Sequence, residues 1–138
     1  MAVEEDGPLL ATYGTLLRSF GRHEALGVAD ALSFVDPCRF EGVLYDLDQF
    51  PGAVPGEGVV SAELFRLRST EVWTALDRYE GYIPEAEDRS LFVRRRTPLH
   101  TPSGTTAWVY WYTGPTEGRP RVAEGDWRAY VQARRSED

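Results

Sequence analysis

Ser69-Thr70-Glu71-Val72-Trp73-Thr74-Ala75-Leu76-Asp77-Arg78-Tyr79-Glu80-Gly81 carries the clearest helical period in the chain. Val72, Ala75, Leu76 and Tyr79 recur at i, i+3, i+4 and i+7, the spacing of one helix face, and predict a helix over about 70–80. Ser69 or Thr70 is placed to cap its start, and Glu71 suits the positive first turn. Gly81 stands where a left-handed residue ends a helix, and Pro84 confirms the stop.

On both sides of this helix the pattern changes to that of strands. Pro8 to Tyr13 reads as a first strand ended by Gly14, where a residue without Cβ allows a sharp turn, and a loop or short helix follows to Leu26. Ala29–Val35 and Arg39–Leu47 read as two strands separated by Asp36-Pro37 and are expected to pair as antiparallel neighbours. The segment from Asp48 to Gly58 contains Phe50-Pro51-Gly52 and Pro55-Gly56-Glu57-Gly58 and is expected to be a loop lying over something. Val59–Leu67 resumes a strand. After the helix, Leu91–Pro98 and Thr105–Thr113 predict two strands joined by a turn at Pro102-Ser103-Gly104, and Asp126 can cap a short closing helix. Many strands, few helices and an order that is not regularly βαβ predict a mostly antiparallel α+β fold, closed or nearly closed as a barrel. The expected organisation is one domain over 1–138 with flexible ends at 1–7 and 135–138.

Charge narrows the range of functions. The net charge is −7, and the 15 basic residues are all arginine. An acidic surface repels a polyanion on average, so nucleic acid is not an expected partner. The one dense basic run, Arg94-Arg95-Arg96, reads as a solvated strand face. A single cysteine, Cys38, excludes an intrachain disulfide and fits a reducing compartment. No apolar run approaches the ~18 residues of a membrane span, and the acidic start Met1-Ala2-Val3-Glu4-Glu5-Asp6 lacks the pattern of a signal peptide. The expected location is the cytoplasm, with no membrane partner.

Chemistry must come from few groups. There is no Gly-rich phosphate loop and no cluster of Cys and His, so neither a metal nor a cofactor is expected. His23 and His100 are far apart in sequence and read as solvated or hydrogen-bonded residues; Cys38 reads as a small core residue. Glu80 differs. It lies about 90° from the centre of the apolar stripe, which predicts a half-buried carboxyl. It also occupies the last helical turn, where the macrodipole disfavours an anion. Both effects raise a carboxyl pKa, as a general base requires. The second feature is the turn Tyr13-Gly14-Thr15-Leu16, whose successive backbone N–H groups can converge on a carboxylate or an oxyanion.

Taken in order, several segments resemble the gamma-glutamylcyclotransferase-like family. They are Tyr13-Gly14-Thr15-Leu16-Leu17; Gly42-Val43-Leu44-Tyr45-Asp46-Leu47 with Phe50-Pro51-Gly52; Val54-Pro55-Gly56; Leu76-Asp77-Arg78-Tyr79-Glu80-Gly81-Tyr82; Leu91-Phe92-Val93-Arg94; Ala107-Trp108-Val109-Tyr110; and Gly125-Asp126-Trp127. The ordered set, rather than any one motif, carries the resemblance. It implies a small, mostly antiparallel or mixed β-barrel flanked by short helices, with a cavity at one end. It further implies that the backbone of Tyr13, Gly14, Thr15 and Leu16 holds a substrate carboxylate and that Glu80 is the catalytic acid/base. The implied reaction releases an amine or amino acid from a γ-glutamyl amide as the substrate closes to 5-oxoproline. Its nucleophile is the substrate's own amino group, so no cofactor is needed. Phe92 departs from the tyrosine often found in relatives, leaving any role of that phenol absent or supplied by Tyr110, Tyr112 or Trp127; Trp127 is expected first as a core residue. The implied partner is a small γ-glutamyl substrate, and the sequence leaves the oligomeric state open. The alternative on the same fold is a non-catalytic protein that binds a small carboxylate.

Overall fold

In a computed structural model of the chain, the described residues are 7–137, with side chains described through Arg134. The expected loose ends at 1–6 and 138 therefore lie outside the described residues. A long hairpin forms the centre of the architecture, with β2 (Leu32–Asp46) pairing antiparallel with β3 (Pro51–Leu67). β1 (Leu9–Thr12) adds antiparallel to β3, and β5 (Thr106–Tyr112) lies parallel to β1. β4 (Phe92–Pro98) closes the order β2-β3-β1-β5-β4 by pairing antiparallel with β5. Three α-helices are described: α1 (Arg22–Leu26), α2 (Val72–Glu80) and α3 (Trp127–Glu137).

The fold is α+β with a mixed sheet, but the expected barrel is not closed. β2 and β4 are both edges. The outward backbone groups of β2 are occupied by coil instead: Arg39 N–H donates to the Thr101 carbonyl, His100 N–H to Arg39, Asp46 N–H to Pro120 and Val122 N–H to Leu44. These bonds cover the edge that a barrel would need for β4.

The hairpin corrects two further expectations. Ala29–Val35 and Arg39–Leu47 are not neighbouring strands; from Leu32 onward they are one strand, with Val35 inserted as a bulge between Phe34 and Asp36. Pro37 does not break it. Arg39 sends its N–H outward from β2, and Pro37, two residues earlier, faces the same way, so its missing N–H removes no bond to β3. Likewise, the expected loop over Asp48–Gly58 shrinks to a tight turn at 47–50. Leu47 N–H donates to Phe50 O at 2.9 Å, and Pro51 already pairs with Asp46. Pro55-Gly56-Glu57-Gly58 bulges opposite Gly42, between the pairs Val43↔Val54 and Glu41↔Val59, and the strand continues past it.

Both faces of the sheet are covered. On β5, Ala107 and Val109 enter one cluster with Ala11, Tyr13, Phe40 and Trp127, whereas Tyr110 and Tyr112 enter the other with Leu10, Phe65, Val72 and Leu76. This is the period-two alternation of a strand. α3 therefore packs on one face through Trp127, and α2 on the other through Val72 and Leu76. Each fully buried aliphatic side chain of this kind contributes roughly 1.5–3 kcal/mol. Of the expected helix punctuation, Gly81 is left-handed at φ 73° and Asp126 Oδ1 caps α3 through Ala129 N–H at 3.0 Å. α2, however, starts later than expected: Glu71, not Ser69 or Thr70, holds the cap position, and the Ser69 Oγ that accepts from Glu71 N–H at 3.2 Å belongs to the turn before it.

Candidate functional site

β1 ends at a pocket of about 250 Å³ lined by Tyr13 to Leu16, the end of α2, the start of β4 and the hairpin turn. The way the first strand ends determines what its residues offer there. Tyr13 is buried, with its hydroxyl donating to Tyr110 O at 2.5 Å and accepting from Ala53 N–H at 3.1 Å. Its phenol therefore ties β1 to β5 and β3. At Gly14 a Cβ would lie 2.7 Å from Pro51 Cγ, so glycine is required because the hairpin turn comes so close.

Two carbonyls of the turn, those of Gly14 and Leu16, are occupied, and three of its amides are not. Leu17 N–H donates to Gly14 O at 3.0 Å, and His23 Nε2 lies 2.7 Å from Leu16 O. A carbonyl only accepts, so His23 is protonated at Nε2. The N–H groups of Gly14, Thr15 and Leu16 donate to no described residue. Three successive unpaired donors at a pocket wall suit an anionic oxygen.

Opposite the turn stands Glu80, carried by the last turn of α2. Asp77, one turn earlier, anchors that end. It accepts from Arg94 Nε at 2.9 Å and Nη2 at 3.0 Å, and from the Tyr110 hydroxyl at 2.6 Å. Arg94 also lies over the Trp73 ring at 4.0 Å. The solvated face expected for the arginine run is thus corrected at Arg94, whose side chain is 17% exposed: a bidentate partner and an indole replace water. The Tyr79 hydroxyl, 2.6 Å from Thr15 Oγ1, fastens α2 to the turn itself.

Glu80 is half-buried and its carboxyl has no hydrogen-bond or ion-pair partner among the described residues. Desolvation by the surrounding protein, uncompensated by any partner, pushes its pKa up to about 8. No fully buried polar side-chain atom among the described residues lacks a partner, so the unpaired carboxyl is exposed to the pocket. Burial pushes the Tyr13 phenol upward, with the charge of Glu80 adding to it, and burial followed by the bonded carboxylate of Asp77 does the same to Tyr110, where Glu80 adds less.

All five residues singled out in the sequence, Tyr13, Gly14, Thr15, Leu16 and Glu80, line this one pocket. Of the three aromatic substitutes considered for a missing phenol, only Tyr110 lines it, and its hydroxyl is committed to Asp77. Tyr112 reaches Pro115 O at 3.4 Å, and Trp127 stacks on Tyr130 in the core. Sequence reasoning missed Arg22, Gln49, Phe50 and Pro51 at the pocket, and took Tyr79 only as a member of the apolar face. Phe50 and Pro51 were visible as turn residues, but the approach of Pro51 to Gly14 depends on the pairing of β2 with β3. Among the described residues, no group of three His, Cys, Asp or Glu side chains is placed to hold a metal ion, and no helix is long and apolar enough to cross a membrane.

Residues 10–129 match the family described as "Gamma-glutamyl cyclotransferase, AIG2-like". The Escherichia coli K12 gamma-glutamylcyclotransferase family protein YtfP is 30% identical over 119 residues, covering 83% of this chain and 91% of that protein. A putative gamma-glutamylcyclotransferase of Vibrio cholerae is 31% identical over 119 residues, covering 86% and 94%. The crystal structure of an uncharacterized Pyrococcus horikoshii protein superposes with a TM-score of 0.70 at 18% identity, covering 94% of this chain and 98% of the other, which shows a shared fold.

Proposed function

Because the chain belongs to the gamma-glutamyl cyclotransferase, AIG2-like family, we propose that it converts a γ-glutamyl amide into 5-oxoproline and a free amine or amino acid, with Glu80 as the general acid/base. The observation that carries this reading is the pairing, within one pocket, of an unpartnered carboxyl with three unpartnered backbone donors.

The free amides of Gly14, Thr15 and Leu16 hold the substrate's α-carboxylate. The glutamyl chain then folds back, so that its α-nitrogen lies against its own γ-carbonyl carbon. Attack within a held substrate replaces an encounter of two molecules. Glu80 as carboxylate takes a proton from the α-ammonium, and the freed amine forms the ring C–N bond. Protonated Glu80 then gives a proton to the leaving nitrogen as the original amide C–N bond breaks. The ring nitrogen then sheds its second proton, again through Glu80, to the departing amine, so the products are the carboxylate of 5-oxoproline and an ammonium; no water is consumed, and Glu80 returns as carboxylate.

The matched acidities support this assignment. An α-amino group titrates at about 7.7–8.0, whereas an ordinary glutamate, near 4.3, is more than three decades too acidic to deprotonate it efficiently. Pushed up to about 8 by desolvation, Glu80 closes most of that gap and is a far better base for the α-ammonium than an ordinary glutamate.

A panel of γ-glutamyl amines and γ-glutamyl dipeptides, assayed for 5-oxoproline, tests the reading. Release from at least one member is expected. If 5-oxoproline raises the melting temperature but no member is cleaved, the pocket binds a carboxylate without catalysis and the enzymatic reading fails.

A further inference from the structure

Two of the residues that line the pocket are of charged types, Glu80 and Arg22. Arg22 opens α1 directly after Gly21, whose left-handed φ of 70° turns the chain into that helix. The next residue, His23, is bonded to Leu16 O at 2.7 Å and packs edge-on against Phe65 at 5.0 Å, so the base of Arg22 is fixed to the site turn. Arg18 pairs with Glu63, Arg94 with Asp77, Arg95 with Glu87 and Arg134 with Asp46, whereas Arg78 and Arg96, exposed like Arg22, form no ion pair with a described residue; what sets Arg22 apart is its place at the pocket. The guanidinium of Arg22 pairs with no described residue, although the protein carries a net charge of −7.

An unpaired guanidinium beside a pocket presents a planar fork of donors suited to a carboxylate. In the proposed reaction the α-carboxylate of the glutamyl part is already held by the turn amides. A second carboxylate is present only when the departing group is itself an amino acid. An acidic protein repels such a substrate, whose two carboxylates outnumber its one ammonium, at long range, and a local cation at the pocket offsets that repulsion.

We propose that Arg22 is a specificity-determining residue that binds a carboxylate on the leaving group, so that γ-glutamyl amino acids are used in preference to γ-glutamyl amines lacking an acidic group. The inference rests on the cyclotransferase reading and makes it more specific. It assigns the two ends of the substrate to two sets of donors, the glutamyl end to the turn backbone and the departing end to the first residue of α1.

The test is a matched pair, γ-glutamylalanine and γ-glutamylalaninamide, which are nearly equal in size and differ in the terminal charge. The readout is the ratio of their kcat/KM values for 5-oxoproline release. The intact protein should favour the acid roughly tenfold or more, as expected for a hydrogen-bonded charge pair. Raising the ionic strength should shrink the ratio without any substitution. Arg22→Ala and Arg22→Gln should bring it to within about twofold of unity, Arg22→Lys should keep part of the preference, and Arg22→Glu should invert it. An intact protein that shows no preference, or a ratio unchanged in Arg22→Ala because both substrates fall together or neither does, overturns the inference and leaves the cyclotransferase reading standing. If the intact protein cleaves neither compound nor any other γ-glutamyl amide, the cyclotransferase reading fails, and the assignment of Arg22 fails with it.

Discussion

Replacing Glu80 by glutamine should make the protein more stable, and increasingly so as the pH rises. In the folded protein the Glu80 carboxyl titrates near 8, against 4.5 for the ordinary group. Between those values the native state keeps a proton that the unfolded chain has released. Stability therefore falls as pH increases through this window, and Glu80 opposes folding most strongly above pH 8. At ~1.4 kcal/mol per decade, the separation sets a ceiling of ~5 kcal/mol. The carboxyl opens onto the pocket and is not sealed from solvent, so about 2–3 kcal/mol is the expected size. Glutamine is uncharged at every pH and escapes this penalty. Urea unfolding of both proteins at pH 5 and pH 9 measures the effect. The two free energies should lie close together at pH 5, with the variant ahead by about 2–3 kcal/mol at pH 9. A difference that is the same at both pH values would falsify the claim that Glu80 is desolvated, because an ordinary surface carboxyl is ionised in the folded and unfolded states alike over this range.

Asp77→Asn removes the charge facing Arg94 in a pair whose side chains are 17% and 11% exposed, and should cost about 2–4 kcal/mol in urea unfolding. The double change Asp77→Leu with Arg94→Met should recover much of that loss, since neither charge is then left buried. Tyr110→Phe removes only the hydroxyl bonded to Asp77 and should cost ~1 kcal/mol. Gly14→Ala places a methyl group 2.7 Å from Pro51 Cγ, in a rigid ring. A loss of about 1–3 kcal/mol is expected, together with weaker binding of 5-oxoproline by calorimetry as the turn is displaced.

The parts of the fold legible in the sequence are those set by neighbouring residues. The face formed by Val72, Ala75, Leu76 and Tyr79, with Gly81 as its stop, is local information, and it positions Glu80 correctly at the end of α2. The hairpin was misread for the opposite reason. Pro37, Pro51 and Pro55-Gly56 look like interruptions when only adjacent residues are considered, yet the pairs Leu44↔Ala53 and Phe40↔Val60 carry β2 and β3 past them. Closure of the sheet was equally out of reach, because it depends on Thr101 and Pro120 reaching the outer groups of β2 across the fold.

The site divides in the same way. Glu80 and the Tyr13-Gly14-Thr15-Leu16 turn stand out by position within their own elements. The groups that hold them do not. Asp77, on α2, meets Arg94 and Tyr110 from two strands, 17 and 33 residues away in sequence. Arg22 follows a glycine in a short helix and resembles any exposed arginine until the pocket beside it is seen.

The central claim is that one carboxyl moves both protons of the cyclisation. Its most direct test is the turnover number of Glu80→Gln on whichever γ-glutamyl compound the intact protein cleaves best, at a saturating concentration. Loss of an acid/base group should lower kcat by about 10²–10⁴-fold. A variant that retains kcat to within a few-fold contradicts the account, since the proton transfers would then be made by something other than Glu80.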